Sequence, residues 1–233
     1  MKLLTVGDAK TSKGEKLGYL TGILYLSPAD ESGIMNTCPK STAGCRAACL
    51  YTAGRAAIFP MINKARQRKT RLLAMQPARF RATLRADISA LIRKAKRTKQ
   101  TPCVRVNGTS DLPQLALEMA REFPDVQFYD YTKIPQPWKR TLPNYHITFS
   151  LSEENAIDAI TALQHGVNVA VVFNTKKSEL LPNKWEGFPV VKGDLHDLRF
   201  LDQHRMGLVI GLYAKGRARQ DTSVKFDPSS GPS

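Results

Sequence analysis

The sequence predicts an α/β fold, a single (β/α) barrel of TIM-like type, complete or partial. Three observations carry that expectation. From Pro102 onward, short apolar runs alternate with helix-forming segments, which with the strand at Tyr19 to Leu26 makes about seven strands, the pattern of parallel strands joined by crossover helices. The run from Val167 to Phe173 is apolar almost without interruption, as expected of a strand buried on both faces of a parallel sheet. With 233 residues and 42% hydrophobic content, the chain has the size at which α/β barrels form one domain, and enough apolar side chains to fill a core. Residues 1–220 are expected to form that domain, with a cysteine loop at 36–54 and a loose Ser/Pro/Gly-rich tail at 221–233.

Taken in order, Gly7 to Lys16 reads as a polar loop whose Lys10 and Lys13 are either a charged entry to the fold or phosphate contacts. Tyr19 to Leu26 is the first buried strand, ended by Ser27-Pro28. The cysteine loop follows it. Two basic helices are then inserted, each with proline in its first turn: Pro60 to about Met75, and a second from Pro77. In the second, Phe80, Leu84, Ile88, Leu91 and Ile92 make an apolar stripe and the cations take the other face. Next come a strand at 103–107, a helix at 115–123 and a strand at 126–131. A Pro-rich connection leads to a strand at 145–150, and a helix capped by Ser152 carries Glu153 and Glu154 in its first turn. Strands at 167–173, 188–191 and 208–212 complete the set.

The cysteine loop is the most informative stretch. Cys38, Cys45 and Cys49 stand in a C-x6-C-x3-C array. Four residues separate Cys45 from Cys49, which places both on one helix face, and Pro39 and Gly44 suit a loop that returns Cys38 to the same point. Three converging thiolates suit a soft metal centre. A closed zinc site asks for four ligands, usually as two short Cys/His pairs, and no second pair is present. A [4Fe–4S] cluster held by three cysteines leaves one iron open. Reduced, buried thiols are the bland alternative, and Cys103, at the start of an interior strand, is read that way.

In a barrel the chemistry sits where strands end. Polar residues recur there: Asn107, Gly108, Thr109, Ser110 and Asp111, then Lys133, Ser150 and Asn174, then Asp194. Asn107, Gly108, Thr109, Ser110, Ser150 and Asn174 are candidate cofactor-binding residues, and Asp111, Lys133 and Asp194 are candidates for catalysis. A further polar stretch offers Asp197 and Arg199 as acid, base or anion contacts, with His196 read as a surface or capping histidine. No dinucleotide fingerprint, P-loop, nucleophile elbow or zinc-protease motif is present.

The chain carries 35 Lys/Arg against 20 Asp/Glu, a formal charge of +15. Between Lys64 and Lys99 there are thirteen Lys/Arg and only Asp87 to oppose them, a net +12. Such one-signed charge fits a nucleic acid through the basic helices, against the alternative of a solvated face. No apolar run approaches a membrane span, and the first eight residues are too soon polar for a signal peptide, so a reducing cytoplasm and no membrane partner are expected.

Gly18 to Ala29, the array Cys38 to Leu50, Val104 to Asp111, Tyr129 to Lys133 and Asp197 to Asp202 resemble the phage family called gene product eighty-eight. That resemblance spans most of the chain and implies a phage origin, with the host cytoplasm as setting. More distantly, the layout is similar to radical S-adenosylmethionine (SAM) enzymes, which place three cysteines after the first strand of a partial barrel. Their spacing is C-x3-C-x2-C, and no glycine-rich SAM motif follows the second strand here beyond Asn107-Gly108-Thr109. The likeness implies a [4Fe–4S] cluster on Cys38, Cys45 and Cys49, SAM, an electron donor, and a nucleic-acid or nucleotide-derived substrate. The competing expectation is a non-catalytic iron–sulfur or zinc protein that binds DNA or RNA through its basic helices.

Overall fold

The computed structural model describes residues 1–7, 11–49, 58–202 and 207–220. Lys10, the part of the cysteine loop beyond Cys49 and the tail at 221–233 lie outside the described residues. The architecture is mixed α/β around a nine-stranded sheet in the order β1-β2-β3-β4-β5-β6-β9-β8-β7. Its strands are β1 (Leu4–Thr5), β2 (Tyr19–Leu24), β3 (Thr101–Arg105), β4 (Gln127–Thr132), β5 (Tyr145–Ser150), β6 (Val169–Phe173), β7 (Lys184–Trp185), β8 (Phe188–Lys192) and β9 (Val209–Tyr213). Seven of them, β2 to β6 with β9 and β8, are parallel. The two-residue strands β1 and β7 pair antiparallel at the two ends of the sheet.

The helices are α1 (Thr11–Glu15), α2 (Ala43–Ala47), α3 (Pro60–Met75), α4 (Pro77–Thr98), α5 (Pro113–Glu122) and α6 (Ala156–Gln164). Prolines in the first turns of α3, α4 and α5 start them where the missing N–H costs nothing. The α3–α4 pair is the crossover from β2 to β3. The stripe Phe80, Leu84, Ile88, Leu91 and Ala95 is buried, with Ile92 only partly so, and packs with Leu24, Val104, Val106 and Phe128. Along the same face α6 sets Ala159, Ala162 and Leu163 against Phe149, Val169, Val171 and Val209. The strand order does not reverse between β2 and β6, so the helices of these crossovers, α3 to α6, lie on one side.

The other face is covered by the segment 197–202. Leu198 and Phe200 pack there with Cys103, Tyr129 and Tyr19, and Phe200 meets Tyr19 and Tyr129 edge-on at 5.2 and 5.5 Å. Cys103 is fully buried beside the Thr21 hydroxyl at 3.1 Å.

Two local expectations are corrected. The helix after β5 starts later than Ser152, at Ala156, with Asn155 as its N-cap residue. The Asn155 side chain holds the preceding loop, accepting from Ser152 N at 2.7 Å and donating to Ser150 O at 3.1 Å. The polar entry loop contains a helix, α1, and its Lys13 Nζ donates to the Asp194 carbonyl at 2.6 Å. No helix among the described residues is long and apolar enough to cross a membrane.

Candidate functional site

Seven parallel strands bring their C-terminal ends to one edge, and the loop after β2 folds back across it. Thr37 anchors that loop: its hydroxyl donates to Ser27 O at 2.5 Å and its carbonyl accepts from Asp111 N at 2.8 Å. Cys38 Sγ lies 3.7 Å from Thr109 O, and Thr109 Oγ1 donates to Leu26 O at 2.6 Å. Farther along, α2 is started by Thr42, whose hydroxyl accepts from Cys45 N at 3.1 Å. Gly44 N donates to Glu153 Oε1 at 2.8 Å. The loop is thus tied at one point to the end of β3 and at another to the end of β5.

Cys38, Cys45 and Cys49 are half-buried and in no disulfide. Burial pushes the Cys38 thiol up to about 11, partly offset by hydrogen bonds from the Ala29 backbone and Thr37, with Asp111 and Cys49 adding repulsion. Cys49 is therefore within electrostatic reach of Cys38. Among the described residues no three His, Cys, Asp or Glu side chains are gathered as a ready metal-ligand set. The donor set itself, three soft thiols of which one is held protonated by burial, fits a group that draws the loop together and displaces the protons as it binds.

Beneath the loop the strand-end residues form a connected network. Buried Asp130 accepts from Asn107 N at 2.7 Å and from Asn107 Nδ2 at 3.0 Å. Asn107 Oδ1 in turn accepts from Ser110 Oγ at 2.9 Å and Leu112 N at 2.8 Å, which closes the turn after β3. Asp111 accepts from Thr132 Oγ1 and Lys133 N, both at 2.8 Å, and Lys133 Nζ donates to Ser150 Oγ at 2.9 Å. Burial raises the Asp111 carboxyl, and its bonds to Lys133 and Thr132 oppose the rise. Gly108 is required by space: an added Cβ would stand 2.6 Å from Ile23 Cγ2 and 2.8 Å from Leu24 O.

The structure therefore brings Asn107, Gly108, Thr109, Ser110, Asp111, Lys133 and Ser150 together under the cysteine loop. Asn174, just past β6, is exposed and outside this network. Asp194 stands on the same rim but serves the β8–β9 end, accepting from Tyr213 N at 3.2 Å and pairing with Lys215.

The sequence gives no sign of a role for Arg105, His146 and Thr148, which with Tyr131 line the sheet face opposite the crossover helices. The Arg105 guanidinium lies 4.6 Å from the Tyr131 ring centroid and pairs with Asp197 at 2.8 Å. A charge between two valines at the end of β3 sets Arg105 apart in the sequence without naming a role for it. Arg199, 1% exposed, stands 3.1 Å from Asp202.

The basic helices are less uniform than their sequence. Arg66 and Lys69 are buried, and Lys69 donates to Leu3 O at 2.6 Å, with burial lowering its pKa to about 8. Arg81 and Arg85 pair with Glu118 and Glu122 of α5 at 2.5 to 3.0 Å. What remains exposed is Lys64, Arg68 and Arg71 of α3, Arg79 at the start of α4, and Arg93, Lys94, Lys96, Arg97 and Lys99 at its end. Lys64, Arg68, Arg71 and Arg79 line two adjoining grooves of about 460 and 410 Å³, with Met1, Met61 and Met75 between them and no carboxylate.

A sequence profile of the family described as Gene product 88 matches residues 2–227. No curated protein and no solved structure matches the chain significantly.

Proposed function

The chain belongs to the Gene product 88 family, and from that premise we propose that it is an iron–sulfur protein of radical-SAM type. Its substrate on this reading is a nucleic acid or a nucleotide-derived molecule. Cys38, Cys45 and Cys49 would hold a [4Fe–4S] cluster. SAM and substrate would lie below it against Asn107, Gly108, Thr109, Ser110 and Ser150, with Asn174 at the margin. The observation that carries this reading is the double tether of the cysteine loop, Cys38 to Thr109 and Gly44 to Glu153, which stands the thiols over the polar strand ends. Three cysteines in one loop, with no second short Cys/His pair in the sequence, favour a cluster with an open position over a closed zinc site. When bound, such a cluster supplies one-electron reduction, and an electron-donor partner follows from that.

The strand order from β2 to β6, which does not reverse and keeps its crossover helices on one side, supports a partial-barrel description of that part of the sheet. Among the three candidates for catalysis, Asp111 has both carboxylate oxygens engaged and Asp194 pairs with Lys215. Lys133 spends one of its ammonium protons on Ser150. We therefore assign Lys133 to substrate contact and Asp111 to positioning it. The α3 grooves, basic and free of carboxylates, are the surface that would take a phosphate backbone. The same grooves carry the second reading, a non-catalytic metal protein that binds DNA or RNA.

Equilibrium dialysis with SAM separates the two readings. Anaerobically prepared protein is expected to bind SAM, and Cys38→Ser/Cys45→Ser/Cys49→Ser protein to lose it. Absence of SAM binding by metal-loaded protein would favour the non-catalytic reading.

A further inference from the structure

The sheet face opposite the crossover helices forms a floor below the strand ends, and that floor carries buried polar atoms that the protein does not satisfy. Arg105, 7% exposed, spends Nη1 on Asp197 and lies over Tyr131. In the β4–β5 register Tyr131 stands beside Thr148 and Tyr129 beside His146, so these side chains share one face. Arg199 reaches the same place: its charge adds to burial in holding His146 down at about 4, and it acts on Tyr131 as well. The outer edge of Arg199 is engaged by the His196 carbonyl and Asp202.

Six buried atoms in this cluster have no hydrogen-bond partner: Arg105 Nε, Arg199 Nε, His146 Nε2 and Thr148 Oγ1, and also Arg199 Nη1 and Asp202 Oδ2, which face each other only as an ion pair at 3.1 Å. Buried polar groups are nearly always paired, and unpaired ones in native proteins usually mark a ligand or an ordered water. Asp202 Oδ2 has Arg199 Nη1 opposite it; of the other four, two are guanidinium N–H groups, which can only donate, and the hydroxyl and imidazole can donate as well. Asp197 and Asp202 fix the guanidinium groups and leave those N–H groups unspent. A group rich in acceptor oxygens is what this set lacks.

We propose that Arg105, Arg199, His146 and Thr148 form an oxyanion subsite that takes a phosphate or carboxylate group of the ligand. It rests on reading the strand ends as the functional site, and it deepens that reading by naming the ligand's charged group. It does not depend on the cluster. Lys133, at the rim above, adds a cation on the ligand's path.

The test follows the His146 ring resonance by NMR at fixed pH and ionic strength while phosphate, acetate or chloride is added. Wild-type protein and the triple Cys→Ser variant are expected to show a saturable shift with phosphate or acetate and none with chloride. The better of the two oxyanions identifies the ligand group. Thr148→Val keeps the shape and removes only the unpartnered hydroxyl, so it is expected to fold at least as stably as wild type while weakening the oxyanion at least tenfold. A shift that fails to saturate, that chloride reproduces, or that Thr148→Val leaves unchanged would return the floor to ordered water. The triple variant separates failures: a lost cluster leaves this titration intact, and a lost titration leaves the metal content intact.

Discussion

Asp130 is the deepest carboxylate of the strand-end network, and replacing it tests whether that network is built as described. It is 2% exposed and accepts from Asn107 N, Asn107 Nδ2 and, at 3.3 Å, the Tyr145 hydroxyl. Burial pushes its pKa up to about 7 from an ordinary 3.8, against the opposing pull of Arg105 and the Asn107 hydrogen bonds. The folded state therefore holds a proton that the unfolded state has released. Stability from this group is fully present below about pH 4, is lost as the pH rises towards 7, and is level above that. A rise of about three units corresponds to about 4 kcal/mol at most. Asp130→Asn removes the charge and with it this pH dependence, but it sets an amide where Asn107 already donates. The lost hydrogen bond costs about 1–3 kcal/mol at low pH, where wild type is neutral too. Urea unfolding between pH 4.5 and 8 is expected to show the variant weaker at the acid end, with the difference closing or reversing by pH 8. A difference that stays constant across that range would refute the buried, charge-strained position assigned to Asp130.

Two other outcomes follow from the geometry. Gly108→Ala forces a Cβ against the β2 backbone, so a loss of about 1–3 kcal/mol is expected. Circular dichroism melts and the reactivity of Cys38, tethered at Thr109, report it together; unchanged stability would show that β2 and β3 are not so close. If nucleic acid binds along α3 and α4, roughly five phosphate contacts give a log–log salt slope of about −4 to −5 on duplex DNA. Charge reversal at Arg68, Arg71, Arg93 and Arg97 should weaken binding on all sequences alike, as measured by fluorescence anisotropy. Binding indifferent to those reversals would make the run a solvated face.

What was legible in the sequence was what local chemistry decides. Pro60 and Pro77 mark the starts of α3 and α4, since a proline fits a first turn and breaks an interior one. The stripe from Phe80 to Leu91 announced its buried face by spacing alone. The polar residues after each strand were legible because a parallel sheet sends all its strand ends to one edge.

What was not legible depends on partners distant in sequence. Nothing near Arg66 or Lys69 tells that Lys69 meets Leu3, so both counted as surface cations. Arg85 looks free until α5 brings Glu122 beside it. Arg105 sits in an apolar strand because Asp197, ninety-two positions on, lies across the sheet from it. The strands β1 and β7, two residues each, are too short to carry a period. Glu153 was expected to serve the dipole of its own helix and instead reaches the backbone of Gly44.

The central claim is that the three cysteines of one loop hold one iron–sulfur centre above the strand ends. Iron, zinc and acid-labile sulfide analysis of anaerobically purified protein, read with its absorption spectrum, tests it most directly. The account predicts iron and sulfide in equal amounts, close to four of each per chain. It predicts their loss in the Cys38→Ser/Cys45→Ser/Cys49→Ser variant and their retention in Cys103→Ser, whose thiol is buried against Thr21. Stoichiometric zinc, or a metal content that the triple substitution leaves unchanged, would contradict it.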